Sequence, residues 1–219
     1  MGVLLLVRHG QASFDADDYD VLSEVGHEQG RALGRSLAAR GVEPDLVVRG
    51  ALRRHRETAE AAVGAARWSG DVEQDAACDE FDHVKTIAGM PDFALTPGES
   101  YDERVARVDG SITRWASGEH DADYHEDFPT FRARIDDALA GVLGRVGPSG
   151  TVVVFTSGGP VGWVAASLVD GGVPAWARMS RVVVNSSVSK VVVGRRGASL
   201  VSFNDHSHLE AEPGLLTYR

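Results

Sequence analysis

The chain has 219 residues, of which 43% are hydrophobic and 25% are charged, a composition typical of a globular protein with one sizeable core. Its 22 lysines and arginines against 32 acidic residues give a formal net charge of -10, which disfavours nucleic acid and anionic membranes as partners. The single cysteine, Cys78, cannot form an internal disulfide, and no segment approaches the roughly 20 apolar residues of a membrane-spanning helix. We therefore expect a soluble cytoplasmic protein.

Strand and helix signals alternate over the first third of the chain. Residues 3–7 form a continuous apolar run, typical of a strand that is buried on both faces. The first helix should begin after Ser23, its N-cap residue, and run to about Arg40, with Gly41 ending it. The next predicted elements are a buried strand at 46–48, a helix at 51–66 and an edge strand at 72–76.

Clear signals return after an irregular middle segment. Residues 81–126 are rich in Gly, Pro, Asp and His and show no firm period, so we interpret them as loops and short helices that form an inserted cap or lid. A helix is predicted at 128–146. The β-branched run at 151–156 is the strongest strand signal, and Ser157 begins the turn into another helix. Three further strands are predicted at 182–184, 187–193 and 199–203.

This alternation predicts a three-layer α/β fold, in which helices flank a mostly parallel sheet within a single domain over residues 1–219. Ligands of such sheets bind beyond the carboxyl ends of the strands. Arg8-His9 and Ser157-Gly158 each follow a predicted buried strand. We therefore expect both pairs to contribute to one site.

The triplet Arg8-His9-Gly10 has the residue types that phosphoryl chemistry needs. A neutral imidazole is a nucleophile toward phosphorus, and a guanidinium can bind two phosphoryl oxygens at once. Gly10 would let the backbone approach an anion without an intervening side chain. Taken alone, the triplet is equally typical of a structural histidine at the end of a strand, which only forms a hydrogen bond with a loop.

A second basic element follows the predicted strand at 46–48. Four arginines lie between residues 49 and 56, at the start of a predicted helix, where unpaired amides and the helix dipole attract anions. One of these arginines facing inward would bind an anion. Taken singly, Arg49, Arg53 and Arg56 also fit a solvated basic face.

Segments along nearly the whole chain resemble the histidine phosphatase superfamily, which includes the cofactor-dependent phosphoglycerate mutases. The similar segments are Arg8-His9-Gly10, the run 22–30, Leu52-x-Arg54-x-x-x-Thr58-Ala59, Asp79-Glu80-Phe81-Asp82, and the closing runs 185–189 and 204–209. The resemblance implies a phosphoglycerate mutase-like fold. It also implies a site without metal or cofactor, and the eight histidines do not have the spacing of a zinc site.

The resemblance further implies a role for each site residue. His9 would carry the phosphoryl group, while Arg8 and Arg54 bind its oxygens and Glu80 donates the proton. Ser157 and the following glycine amides would complete the phosphate cradle. The candidate catalytic residues are therefore Arg8, His9, Arg54, Glu80 and Ser157, and the candidate substrate-binding residues are Gly10, Ser13, Gly158, Gly159 and His208.

Two departures from the family pattern matter. Where the family usually has His-Gly-Gly, this chain has Ser157, and loss of one preorganised donor costs on the order of 10²–10³ in rate. We expect weakened activity unless His206 or His208 takes the place of the missing imidazole. Ser157→His should raise the rate of the weakened enzyme. The run 11–15 also replaces the Trp-Asn pair of the mutase branch, which disfavours mutase activity.

The expected function is that of a phosphomonoesterase, which releases inorganic phosphate from a small phosphorylated metabolite or a phosphoprotein. Three alternatives remain open: a weakened relative that only binds phosphorylated ligands, a mutase-type phosphotransferase, and a serine esterase. The esterase would use Ser157 with His206 or His208, although Phe155 is large for a nucleophile elbow. A homodimer is plausible for the family.

Overall fold

A six-stranded sheet dominates the computed structural model, which describes residues 1–13, 20–91, 98–147 and 149–218. The chain divides into two units, one of Met1–Glu80 with Ile135–Arg219 and one of Phe81–Arg134. The sheet belongs to the first unit. Its strands are β1 (Gly2–Arg8), β2 (Leu46–Arg49), β3 (Val72–Gln74), β4 (Thr151–Thr156), β5 (Val188–Gly194) and β6 (Gly197–Asp205).

The order of the strands is β3-β2-β4-β1-β5-β6. The first three pairings in this order are parallel, and β5 and β6 add two antiparallel pairings. Val7 therefore lies between Phe155 on one side and Val188 on the other. The predicted mostly parallel sheet flanked by helices is confirmed, with two antiparallel strands at one edge.

Seven α-helices accompany the strands in the described ranges. They are α1 (Glu24–Ala39), α2 (Arg53–Ala66), α3 (His83–Ala88), α4 (Tyr101–Ala116), α5 (Phe128–Val146), α6 (Gly158–Leu168) and α7 (Gly172–Val182). The predicted N-cap of α1 is confirmed, because the Ser23 hydroxyl accepts a hydrogen bond from the amide of Gly26 at 3.0 Å. None of these helices has the length and apolarity needed to cross a membrane.

The helices α1 and α2 pack together through small residues. A Cβ atom at Gly34 would overlap the carbonyl oxygen of Ala62, and one at Gly30 would lie 2.9 Å from the Cβ of Ala61. Because glycine removes this obstacle, the backbones approach closely. The start of α2 is thereby fixed against the sheet, where Leu33, Leu37, Ala59, Ala62, Val153 and Phe155 form one apolar core.

The second unit, Phe81–Arg134, contains an aromatic cluster. The ring of Trp115 lies 4.5 Å from that of Phe81 and 5.1 Å from that of Phe128. The helix α4 begins at a capping box in which the Ser100 hydroxyl and the Glu103 carboxylate each bond the other's backbone. The prediction of short helices in this segment was wrong for α4, which has 16 residues. The Ser-x-x-Glu signal that marks its start was present in the sequence.

The strand predicted at 182–184 was also wrong. The helix α7 runs to Val182, and the two valines that follow are buried but have no strand beside them in the described sheet. Their backbone groups bond side chains instead: the carbonyl of Val183 accepts from Arg8, and the amide of Val184 donates to Asn204 Oδ1 at 2.7 Å. A short apolar run fits a buried loop as well as a strand.

Candidate active site

His9 follows β1 directly, at the carboxyl end of the sheet's parallel part. Its side chain is buried, and its Nδ1 atom lies 2.6 Å from the carbonyl oxygen of Gly10. A carbonyl oxygen only accepts hydrogen bonds, so Nδ1 carries the ring proton. The lone pair of the neutral imidazole is therefore on Nε2, the nitrogen that is available for attack.

The surroundings of His9 keep its ring neutral. Burial lowers the pKa of His9 well below its usual value, and the charges of Arg54 and Arg8 and the ring of His55 lower it further. The hydrogen bond to the backbone of Gly10 acts in the opposite direction. Two guanidinium groups thus surround a neutral imidazole.

Arg8 and Gly10 are both tied into the fold. Arg8 Nη1 donates to the carbonyl oxygens of Val183 and Tyr218, the latter at 3.1 Å. The amide of Gly10 donates to Thr58 Oγ1 at 2.9 Å, and a Cβ atom at Gly10 would lie 2.5 Å from the carbonyl oxygen of Gly26. The structure therefore gives Gly10 a packing role on the start of α1.

Among the arginines of the second basic element, Arg54 is the buried one, with 9% of its side chain exposed. Its neighbours Arg53 and Arg56 are 46% and 47% exposed and pair with glutamates of α2. Arg54 Nη1 donates to Asp20 Oδ1 at 2.8 Å. The second carboxylate oxygen of Asp20 accepts from the amide of Arg53 at 2.7 Å, so Asp20 both pairs with Arg54 and caps α2.

Ser157 occupies the last position before α6 and is fully buried. Its Oγ atom lies 2.7 Å from Nε2 of His55, a fully buried residue of the first turn of α2. On the other side of this ring, Nδ1 lies 3.4 Å from Asp79 Oδ1. The rings of His9 and His55 have their centroids 5.7 Å apart. A second imidazole therefore belongs to the site, and it comes from α2.

The side chain of Glu80 contacts the beginning of α6. Its Oε2 atom accepts a hydrogen bond from the amide of Gly159 at 2.9 Å. This bond uses an amide that the sequence assigned to the phosphate cradle. At Gly158, an added Cβ atom would lie 3.8 Å from Arg8 Nε, so the first residue of α6 adjoins the arginine of β1.

Two sequence-predicted residues have their described contacts elsewhere. The amide of Ser13 donates to the carbonyl oxygen of Val21 at 2.7 Å. His208 interacts with the backbone of Ser186 and the charge of Asp205, and burial lowers its pKa to about 4. The imidazole that contacts Ser157 in the described residues is His55, rather than His206 or His208. Phe14 and Asp15 of the run 11–15 lie outside the described residues.

Three residues with contacts in the site were not predicted from the sequence: His55, Asp79 and Asp20. His55 stands next to Arg54, and Asp79 stands next to Glu80, so each adjoins a residue that was singled out. The sequence motifs around these residues do not predict the pairing of β2 with β4, which brings the starts of α2 and α6 together. The described residues include no group of three or more His, Cys, Asp or Glu side chains arranged to hold a metal ion.

Comparisons with known proteins agree with this architecture. A family model described as the histidine phosphatase superfamily (branch 1) matches residues 4–206. The 2,3-bisphosphoglycerate-dependent phosphoglycerate mutase of Chelativorans sp. (strain BNC1) is 36% identical over 63 residues, which are 26% of this chain and 31% of the mutase. This relative is thus matched over less than a third of its length.

Three solved structures have the same fold. The phosphoserine phosphatase of Entamoeba histolytica, a mutant in complex with phosphoserine, has a TM-score of 0.70 at 16% identity and covers 95% of this chain and 100% of its own. The phosphoglycerate mutase of Bacillus anthracis str. Sterne has a TM-score of 0.66 at 21% identity and covers 94% of each chain. A mycobacterial glucosyl-3-phosphoglycerate phosphatase, in complex with VO3, has a TM-score of 0.66 at 21% identity and covers 92% of this chain and 98% of its own.

Proposed function

Because the chain belongs to the histidine phosphatase superfamily, we propose that it is a phosphomonoesterase in which His9 takes the phosphoryl group from the substrate. The observation that carries this proposal is the state of His9. Its ring is buried, neutral and held by Gly10 in the tautomer that leaves Nε2 unprotonated, between two arginines. This is the form of an imidazole that can attack phosphorus.

Arg8 and Arg54 would stabilise the phosphoryl group during transfer. Phosphoryl transfer depends mainly on in-line positioning and on neutralising the charge of the equatorial oxygens. The charges of both guanidinium groups lower the pKa of the His9 ring, and we expect both groups to bind the oxygens of a phosphoryl group attached to it. Their positions are fixed by bonds to Val183, Tyr218 and Asp20.

Glu80 would act as the general acid and then as the general base. In the first step it would protonate the departing oxygen, and in the second it would activate the water that releases phosphate from His9. Its hydrogen bond to the amide of Gly159 holds the carboxylate at the start of α6, beside Ser157 and Gly158. A protein that only binds phosphate would not need a general acid at this position.

The substrate class that we propose is a phosphate monoester, from a small metabolite or a phosphoprotein. The structural neighbours suggest a first panel of substrates: phosphoserine, glucosyl-3-phosphoglycerate and the phosphoglycerates. Interconversion of 2- and 3-phosphoglycerate would indicate the mutase-type alternative. Release of inorganic phosphate without interconversion would support the phosphatase.

The test uses an aryl phosphate as a generic substrate, without added metal. We expect the parent to release phosphate and His9→Ala to be inactive, while His27→Gln, which changes a histidine with 40% side-chain exposure, stays active. Rapid acid-free quenching after incubation with a radiolabelled substrate should trap label on the parent but not on His9→Ala. If every variant is inert while inorganic phosphate still binds, the chain is a phosphate-binding relative rather than an enzyme.

A second candidate function follows from the contacts of Ser157. Asp79, His55 and Ser157 have the connectivity of a serine-hydrolase triad, in which His55 rather than His206 or His208 contacts the serine. This function would leave Arg8, His9 and Arg54 without a role, however, and Phe155 is large for a nucleophile elbow. Hydrolysis of an aryl acetate that survives His9→Ala and disappears in Ser157→Ala would establish this second function.

A further inference from the structure

The Ser157 hydroxyl makes an unusual contact for a residue at the start of a helix. A serine at this position normally accepts a hydrogen bond from an amide of the first turn. Within the described part of the chain, Ser157 has no such capping bond and lies 2.7 Å from His55 Nε2 instead. Its hydroxyl therefore contacts a side chain of the site instead of capping the helix.

The His55 ring is held from both sides. Asp79 Oδ1 faces Nδ1 at 3.4 Å, and the same carboxylate oxygen accepts the amide of Ala51 at 2.7 Å. Gly50 provides the space for this pair, since a Cβ atom there would overlap both His55 Nδ1 and Asp79 Oδ1. Asp79, His55 and Ser157 thus form a continuous polar line to the start of α6.

The sheet explains why this line exists. The strands β2 and β4 are parallel neighbours, with Arg49 opposite Phe155, and the amide of Gly50 donates to the carbonyl oxygen of Phe155 at 3.0 Å. The helices that follow these strands, α2 and α6, therefore begin beside each other. This adjacency lets a residue of α2 reach the position that precedes α6.

We propose that His55 is a positioning residue for phosphoryl transfer, acting through Ser157 so that the pair supplies the hydrogen bond and positive charge of an imidazole at position 157. This inference rests on the proposed phosphatase function. It gives a reason for a serine at 157, because the imidazole is present in the site but comes from another element.

This arrangement would take up one proton when a phosphoryl group binds. We assign the proton of neutral His55 to Nδ1, which faces Asp79 Oδ1 at 3.4 Å, so that Nε2 accepts a hydrogen bond from the Ser157 hydroxyl. When a phosphoryl dianion binds, one proton from solvent adds to Nε2. The new N–H donates to Ser157 Oγ, and the Ser157 hydroxyl is then free to donate to a phosphoryl oxygen.

The groups around His55 are consistent with this switch. Burial lowers its pKa, and the charge of Arg54 lowers it further, whereas Asp79 and Asp20 raise it. His9 faces it from the end of β1, and Ser157 from the end of β4. A bound phosphoryl dianion would add two negative charges and favour the protonated ring.

The first experiment compares kcat of the parent, His55→Gln, Ser157→Ala and the double variant with an aryl phosphate. Each single variant should lose about 10²–10³ in rate, the cost of one preorganised donor. Because the two residues act as a unit, the double variant should be no slower than the worse single variant. Multiplicative losses would overturn the proposal, as would full activity of His55→Gln with an unchanged melting temperature.

A second experiment uses readouts that a purely structural role would not move. The parent should lose kcat as pH rises through the pKa of His55 in the complex. Asp79→Asn keeps an oxygen for the Ala51 amide but removes the charge that raises this pKa, so its basic limb should shift to lower pH. An unshifted limb in Asp79→Asn would contradict the proposal.

A swap of the two residues gives a rescue test. With His55 in place, Ser157 is fully buried against its ring, so Ser157→His alone should lower the rate, the reverse of the expectation from sequence. In a His55→Ala background, Ser157→His should restore at least tenfold of the lost rate. If the parent and His9→Ala are equally inert, the proposed function fails. If His9 is essential but the swap restores nothing, the function stands and the inference about His55 fails.

Discussion

At the scale of single residues, Arg54 is paired with a carboxylate of its own chain. Its guanidinium lies 2.8 Å from Asp20 Oδ1, and the Asp20 side chain is 28% exposed. A phosphoryl anion that approaches Arg54 must compete with this charge. We therefore expect Asp20 to weaken anion binding at Arg54, while it accepts the amide of Arg53 at the start of α2.

We predict that Asp20→Asn tightens the binding of inorganic phosphate roughly fivefold, because a partly buried ion pair of about 1 kcal/mol no longer competes. The asparagine keeps an oxygen that can accept from the Arg53 amide, so the fold should persist. The inhibition constant of phosphate in the aryl phosphate assay is the measurement. Asp45→Asn is the matched control, since Asp45 also accepts a backbone amide, that of Thr151, at the start of β4. Equal effects of the two variants would contradict the prediction.

Residues of the site could be predicted from sequence where local order decides them. His9 and Ser157 directly follow strongly apolar strands, and Arg54 begins a helix after another strand, so each position follows from neighbours in the chain. His55 could not be assigned in this way. Its role depends on which strand lies beside β2, and this is set by packing between segments that are distant in sequence.

At the scale of elements, the contact between α1 and α2 determines where Arg54 and His55 lie. The two helices meet at Gly30 and Gly34, where added side-chain atoms would run into the backbone or side chains of α2. Glycine in the middle of a helix costs about 1 kcal/mol relative to alanine. Close helix packing offsets this cost here.

We predict opposite effects for two glycine-to-alanine changes in these helices. Gly34→Ala should lower the free energy of unfolding by about 1–3 kcal/mol, because the new methyl group would overlap the carbonyl of Ala62. Gly64→Ala in α2 should raise it by about 0.5–1 kcal/mol, since an added Cβ has no described atom within 4 Å and alanine favours the helix. Urea unfolding of both variants measures the difference, and a stabilised Gly34→Ala would show that the helices can move apart freely.

At the scale of the whole molecule, the buried His9 and His55 and the half-buried His208 couple stability to pH. Burial is the largest cause that lowers the pKa of His9, of His55 and of His208, the last to about 4. In the unfolded chain each would have a pKa of about 6.5. Below that pH the unfolded chain binds more protons than the folded protein, so stability is present above pH 6.5 and decreases as the pH falls toward 4.

We predict that the free energy of unfolding falls between pH 6.5 and 5, with each histidine contributing a slope of up to about 1.4 kcal/mol per pH unit. His208→Gln should remove about one such contribution. Carboxylates whose pKa is lowered, including Glu57 and Asp205, act mainly below about pH 4.5, so this window isolates the histidines. Urea unfolding at several pH values is the measurement. Above pH 7.5 the free energy of unfolding should depend on pH in the same way in the parent and in His208→Gln. If the two dependences also stayed parallel below pH 6.5, the assignment of this effect to His208 would be refuted.

The position of β1 has a consequence for how the protein is made. This strand is synthesised well before its partners in the sheet, β4 and β5, which come from the last third of the sequence. On the ribosome, an apolar segment with two unpaired edges must therefore wait until most of the chain has been translated. Such a segment is prone to associate with other nascent chains. Slower translation or the help of a holding chaperone should thus matter more for the yield of this protein than its final stability would indicate.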